Sequence, residues 1–361
     1  VVNWFAIRPD CRKALKDPVL RSYYKHYFSI LEGKGLPYHM IARMVQVELR
    51  GDLDTLWEEH GRALGEFWDL VERNPREFKP VEPNFLQLKA EIAERILRGC
   101  RFCEWRCGTD RTREPGRVCR AGKDIAVSTA FIHLGEEPEI SPSYTVFTLG
   151  CNLACIHCQN WEISTWAEKG LIISPSALAK SIDRAWGMGA RNANLVGGEP
   201  TIWLHAWLRT FSVVREPIPV FWNSNGIYSR EAMRLLEGFA DIIKIDFKYG
   251  NDRCAMRISR APRNYMEIME RNLKHARRVS EPLIRVLVLP GHLECCLRNI
   301  LKSIVDWTGR DTRVNVMFQY YPAHRAPEGP YPELKRRLSW EEMEEARKMV
   351  LESGLQNVLI G

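Results

Sequence analysis

Leu149-Gly-Cys-Asn-Leu-Ala-Cys-Ile-His-Cys-Gln-Asn-Trp-Glu162 brings three cysteines together within one short loop. Cys151, Cys155 and Cys158 form a Cys-x3-Cys-x2-Cys pattern, and thiolates packed this tightly can share one iron-sulfur cluster. A cubane cluster is usually held by four thiolates, so this loop leaves one iron without a protein ligand. Structural zinc is the competing use of a short cysteine cluster, but it takes four closed ligands, typically as two cysteine pairs. The nearest fourth ligand here is His157, which sits inside the loop itself.

Downstream of Thr145, short apolar runs alternate with helical stretches, the pattern of βα units feeding a parallel sheet. Strands are expected at residues 145–149, 193–197, 220–223, 241–247, 283–289 and 314–320, with 357–360 as a further edge strand. Gly, Asn or Pro follows most strand ends, so the loops with unusual residues share one rim. Barrels carry their active sites on that rim.

Each strand end supplies polar residues. Gly197-Gly198-Glu199-Pro200-Thr201 follows the second strand, and its paired glycines permit close backbone approach. Asn223-Ser-Asn-Gly226 closes the third. Asp246-Phe-Lys248 ends the fourth, and because alternate strand residues face the same way, carboxylate and ammonium share one side. Arg285 lies in the otherwise apolar fifth strand, Ile284-Arg-Val-Leu-Val-Leu-Pro-Gly291, where an inward guanidinium requires an anionic partner. Gln319-Tyr-Tyr-Pro-Ala-His324 ends the sixth. Cys11, Cys254, Cys295 and Cys296 show no partner at metal spacing and are expected to be inert thiols.

The cysteine loop and the Gly-Gly-Glu-Pro turn together resemble the radical SAM superfamily. That resemblance implies a cluster whose open iron chelates S-adenosylmethionine (SAM), reductive cleavage to a 5'-deoxyadenosyl radical, and hydrogen abstraction from a substrate. It places His157 near the adenine, where the family usually has another aromatic ring, and Gly197, Gly198 and Glu199 at the methionyl amino group. The loops after the third, fourth and fifth strands are similar to those of the glycyl-radical-activating branch, typified by pyruvate formate-lyase activating enzyme. By that likeness Asn223, Asn225, Asp246 and Lys248 lie near SAM, Arg285 near its carboxylate and His324 near the adenosyl group. Asn223 stands where the branch has an Asp, which removes one negative charge from the branch's monovalent-cation site. From about Cys100 to the C-terminus the chain is similar to activase-like iron-sulfur proteins of the PflX type, through Phe131-Ile-His-Leu-Gly-Glu-Glu-Pro138 and Tyr331-Pro-Glu-Leu as well as the cysteines.

Upstream of the loop, Cys100-Arg-Phe-Cys-Glu-Trp-Arg-Cys107 and Cys119 bring four thiolates within twenty residues. Cys100, Cys103, Cys107 and Cys119 suit a closed site, either a second iron-sulfur cluster or zinc. The first hundred residues read as helical. Leu53, Leu56, Trp57, Leu64, Phe67, Trp68 and Val71 recur at helical spacing behind Asp52 and stop at Asn74-Pro75; a second run follows Pro83-Asn84, and residues 19–31 and 39–49 are further helix expectations.

With 361 residues, 45% of them hydrophobic, the chain is long enough for a large domain and a smaller segment. The net charge of +7 arises from 52 basic and 45 acidic residues dispersed along the chain, too even a mixture to single out nucleic acid. Eleven cysteines clustered at metal spacing argue for a reducing compartment rather than disulfides. No stretch reaches transmembrane length and Val1-Val2-Asn3-Trp4-Phe5 begins no signal peptide, so a cytoplasmic protein without a membrane partner is expected.

The expected architecture is α/β: a helical region at 1–99, a four-cysteine metal-binding lead-in at 100–144, and a partial (β/α)6 radical SAM barrel at 145–361. The expected function is a radical SAM oxidoreductase fed by a reduced flavodoxin or ferredoxin-type donor, with a glycyl-radical-activase-like protein target among its substrates. RNA or a small metabolite is the alternative substrate, and nucleic acid stays open as a partner. A cluster-bearing binding or scaffold protein without turnover is the alternative from another class.

Overall fold

The computed structural model describes residues 4–361. Val1–Asn3, which open the stretch read as carrying no signal peptide, lie outside them. The named strands form one sheet in the order β3-β1-β2-β4-β5-β6-β7-β8-β9. They are β1 (Ala126–His133), β2 (Ser143–Thr148), β3 (Leu171–Ile172), β4 (Ala193–Gly197), β5 (Val220–Ser224), β6 (Ile242–Asp246), β7 (Leu283–Leu287), β8 (Arg313–Met317) and β9 (Asn357–Ile360). β2 and β4 to β8 are the six expected strands, all parallel, and β9 adds to β8 in the same direction. Helices cover the sheet between them, so these strands are buried along most of their length, as parallel sheets require.

Two strands depart from expectation. β1 runs antiparallel to β2, and β3 pairs with it in turn. Ala-Val-Ser-Thr-Ala-Phe-Ile-His shows no clean alternation, because the middle of β1 is exposed and nothing forces a buried face.

The loop between β1 and β2 crosses the lower end of the barrel as a polar floor. Glu139 accepts from Arg313 at 2.6 Å at the start of β8, Glu137 accepts from Arg285 of β7 at 2.7 Å and from Asn315 of β8 at 2.7 Å, and Glu136 accepts from Asn194 of β4 at 2.8 Å. Below it, Tyr24, Tyr27 and Phe28 pack on Phe221, Ile242 and Leu283, which lie at the starts of β5, β6 and β7. Glu281 fastens these helices by accepting the backbone N–H groups of His26 (2.6 Å) and Tyr27 (3.0 Å).

The helix Leu53–Arg73 starts where Asp52 accepts from the Thr55 N–H, and it ends at Asn74 in the left-handed region. Phe85–Leu97 opens with a reciprocal box between Asn84 and Gln87. Two helix expectations need correction. The stretch 19–31 is two helices, Pro18–Tyr23 and Lys25–Leu31, broken at Tyr24 (φ −93°, ψ 51°). The stretch 39–49 yields only Tyr38–Ala42, because Gln46 instead bridges to Asn84 and the Val47 N–H bonds the Pro83 carbonyl.

Candidate active site

A cavity of about 680 Å³ opens among the upper strand ends. Cys151, Cys155 and Cys158 line it, together with His157, Gly197, Gly198, Asn223, Asn225, Asp246, Lys248 and Arg285. Glu199 and His324 do not.

The cysteine loop is pinned on both sides. Ala154 and Ile156 donate their N–H groups to the carbonyls of Ser259 and Ile258, and the Arg325 N–H bonds the Ile156 carbonyl. Each sulfur meets a polar neighbour: the Leu153 N–H donates to Cys151 at 3.4 Å, Ser259 Oγ donates to Cys155 at 2.9 Å, and Ser164 Oγ lies 3.3 Å from Cys158. Asn225 Nδ2 adds a 3.6 Å contact to Cys151. Burial pushes the Cys155 thiol up to about 11, against the pull of Lys248. Three convergent thiols with donors aimed at their sulfurs fit a cluster ligand set, whose potential is tuned by such hydrogen bonds.

Gly198 explains itself by distance. A Cβ there would lie 1.9 Å from the Gly150 carbonyl oxygen, so the β4 exit can lie against the cysteine loop only without a side chain. At Gly197 (φ +146°) a Cβ would meet the Thr148 oxygen at 2.2 Å.

Glu199 stands behind this turn rather than in the cavity. Its carboxylate is buried and accepts from Thr201 N (3.1 Å), Ser224 Oγ (2.7 Å) and Asn225 N (2.8 Å), bracing the exits of β4 and β5 together. Burial raises its pKa and these donors oppose the rise. His324, with φ +52°, stacks on Trp161 at 5.4 Å and does not line the cavity. His157 is buried and bonds the Tyr249 hydroxyl at 3.0 Å; burial pushes its pKa down to about 3, which keeps the ring neutral.

Asp246 and Lys248 share a side as expected, but they pair with each other at 3.0 Å, and Asp246 also pairs with Lys244. Lys244, Asp246 and Lys248 thus form an inward ladder at every second residue. Burial brings Lys244 down to about 8, while the two ammonium groups hold Asp246 well below the usual carboxylate range. The alternation in Lys244-Ile-Asp-Phe-Lys248 carried the signal for Lys244. Arg285 finds its anion inside the protein: its guanidinium grips Glu137 and also pairs with Glu136, so in this structure it is turned to the floor. Asn223 donates to Asn194 at 3.2 Å.

Cys100, Cys103, Cys107 and Cys119 lie outside the cavity and against the back of the cysteine loop. Trp105 Nε1 donates to the Asn152 carbonyl at 2.7 Å, Trp166 Nε1 to the Cys119 carbonyl at 2.8 Å, and Ser229 N to the Phe102 carbonyl at 3.0 Å. Arg111 is fully buried among them, donating to the carbonyls of Ala121 and Ile202. Cys254, Cys295 and Cys296, expected to be isolated, instead converge with His292 beside β7; the two chain segments that carry them are brought together only by the fold. Cys11 is a buried thiol at the start of the chain.

Residues 145–304 match the family model described as the Radical SAM superfamily. The chain belongs to the radical SAM superfamily. Membership implies an enzyme that binds a [4Fe-4S] cluster and SAM and runs SAM-dependent radical chemistry. An uncharacterized protein of Methanocaldococcus jannaschii is 41% identical over 319 residues, 86% of this chain and 91% of the relative. That share exceeds what residues 100–361 can supply, so the likeness takes in part of the helical N-terminal region. Among solved structures, SuiB of Streptococcus suis bound to precursor peptide SuiA is 12% identical (TM-score 0.44), covering 58% of this radical SAM chain and 46% of SuiB. A domain of pyruvate-formate lyase-activating enzyme from Bacteroides vulgatus is 15% identical (TM-score 0.31), covering 52% of this chain and 91% of the domain. Among the described residues, no helix is long and apolar enough to cross a membrane.

Proposed function

We propose that this chain reductively cleaves SAM and uses the resulting radical to take a hydrogen atom from a small polar centre. The observation that carries this reading is the opening of three donor-supported thiols and the Gly197-Gly198 turn into one cavity. When bound, a cluster on Cys151, Cys155 and Cys158 supplies the electron that breaks the carbon-sulfur bond of SAM. The protein binds and orients: Gly197 and Gly198 leave backbone room for the methionyl end, His157 offers a neutral ring, and Asn225 supports Cys151.

The cavity lies within the size range of small-molecule sites and must also hold SAM, so only a small part of a substrate can enter. Its charged lining pairs Lys244, Lys248 and Arg285 against Asp246, Glu136 and Glu137, which suits an uncharged polar group or a zwitterion. A single residue of a protein target, as in the activase-like reading, and a small metabolite both meet that description. RNA fits less well, since the lining offers no excess of cations to neutralise phosphates. A reduced flavodoxin or ferredoxin-type protein is the proposed electron donor, with the four-cysteine lead-in holding a second cluster or zinc beside the cysteine loop.

The test is incubation of reconstituted, chemically reduced protein with SAM, followed by quantification of 5'-deoxyadenosine. Product above the level of cluster-free protein is expected. No product from a fully loaded cluster would leave the scaffold reading in its place.

A further inference from the structure

Outside the cavity, two rim loops bring four ligand-type side chains together. Cys254 belongs to the helix Asp252–Ser259 after β6, whereas His292, Cys295 and Cys296 sit on and just before the π-helical turn Leu293–Leu297 after β7. Positions i, i+3 and i+4 of a helical turn share one face, and this face is turned toward Cys254. His292 Nδ1 lies 3.7 Å from Cys254 Sγ, 3.3 Å from Cys295 Sγ and 3.7 Å from Cys296 Sγ, and the two adjacent sulfurs are 3.8 Å apart. All four ligand atoms lie within 4.8 Å of one another.

These separations discriminate between uses. Ligands at about 2.3 Å (sulfur) and 2.0 Å (nitrogen) around a tetrahedral ion stand roughly 3.5 to 3.8 Å apart. A disulfide would need sulfurs at about 2.05 Å, and all of these cysteines are free. A cubane spreads its thiolates over several irons and needs them farther apart.

The surroundings are built for a ligand set. His292 points its other nitrogen, Nε2, toward Glu333 Oε1 at 3.5 Å, the outer carboxylate that metal-bound imidazoles commonly have. Asn251 accepts from the Cys254 N–H (2.8 Å) and donates to the Cys295 carbonyl (2.7 Å), so one side chain sets both loops. Gly250 lets them touch: a Cβ there would lie 2.3 Å from the Cys296 oxygen. His292 and Cys296 are buried, Cys254 is half-buried and Cys295 is exposed, which leaves an ion one edge to enter by.

We propose that Cys254, His292, Cys295 and Cys296 form a mononuclear zinc site of the Cys3His type. With all four positions filled by protein the site is structural, since a catalytic zinc keeps one position open. Its mechanical role follows from the helix it anchors. Asp252–Ser259 carries Cys254 in its first turn, and its last residue, Ser259, donates to Cys155 Sγ and accepts the Ala154 N–H. The ion clamps one end of the helix that positions the cysteine loop with its other end.

The experiment uses the full chain, purified without oxygen in zinc-containing medium and with its iron reconstituted. Zinc and iron are counted per chain in the native protein and in Cys295→Ser, His292→Ala and, as a control, Cys11→Ser. Each ligand variant should carry about one zinc fewer than the native protein at unchanged iron, and the control should lose none. The zinc absorption edge of the native protein should report a shell of sulfur with nitrogen, a readout that does not depend on any variant folding. Equal zinc in native protein and both ligand variants overturns the proposal. So does a native protein without zinc, or loss of iron in place of zinc.

Discussion

Trp105 donates its indole N–H to the main-chain oxygen of Asn152 across 2.7 Å, which ties the four-cysteine lead-in to the residue directly after Cys151. The Asn152 side chain continues the link, accepting from Asn225 at 2.7 Å and donating to the Ile227 carbonyl at 3.0 Å. These hydrogen bonds give a disturbance in the lead-in a route to the cysteine loop that needs no shared ligand. Cys103→Ser is expected to lower the melting temperature while leaving a SAM-sensitive signal from the Cys151 loop. About eight irons per native chain would mark two cubane clusters, and about four would mark one. Loss of the SAM-sensitive signal in a folded variant would mean that the two cysteine groups share a cluster.

Replacing Cys151, Cys155 or Cys158 singly by Ala should reduce 5'-deoxyadenosine formation to background, because the loop then offers only two thiolates. Cys11→Ser, whose buried thiol does not line the cavity, should retain cleavage. A Cys155→Ala protein that cleaves SAM normally would refute the ligand assignment.

Gly198→Ala tests the contact between the β4 exit and the cysteine loop. Its methyl group would overlap the Gly150 carbonyl, and relieving that overlap is expected to cost about 1–3 kcal/mol. The displaced turn should also lower SAM cleavage. Denaturant titration and deoxyadenosine assays check the two effects; native values for both would show that the loops separate freely.

Glu281 gives the pH dependence a sign. Burial pushes its carboxyl up to about 7, above the value of an unfolded chain, so the folded state holds the extra proton between about 4.5 and 7. Stability should therefore fall as pH rises through that window, by at most about 1.4 kcal/mol per pH unit. His26 and Asp241, paired at 2.8 Å beside it, complete the local charge set. Glu281→Gln should flatten this slope in denaturant titrations at pH 5, 6 and 7, and an unchanged slope would assign the dependence to other groups.

The parallel strands were legible because each is an apolar run closed by a turn, and the cysteine loop because its spacing has few other uses. β1 was hidden by its exposed middle, where packing imposes no pattern. Arg285 announced that it needed an anion, yet only the fold shows that Glu136 and Glu137, about 150 residues earlier, supply it. Cys254 lies far in sequence from His292, so a ligand set split between two loops left only His-x2-Cys-Cys as a local trace. Glu199 shows the reverse limit: its motif was plain, while its use as a brace depends on Ser224 and Asn225 from the neighbouring strand.

The floor made by Glu136, Glu137 and Glu139 against Arg285, Arg313, Asn194 and Asn315 also bears on heat. The penalty for keeping ions out of water shrinks as temperature rises, whereas apolar stabilisation levels off. On warming, this underside should hold its shape longer than the apolar contacts around it, and thermal loosening should begin in the outer helices while the base of the barrel is still shut.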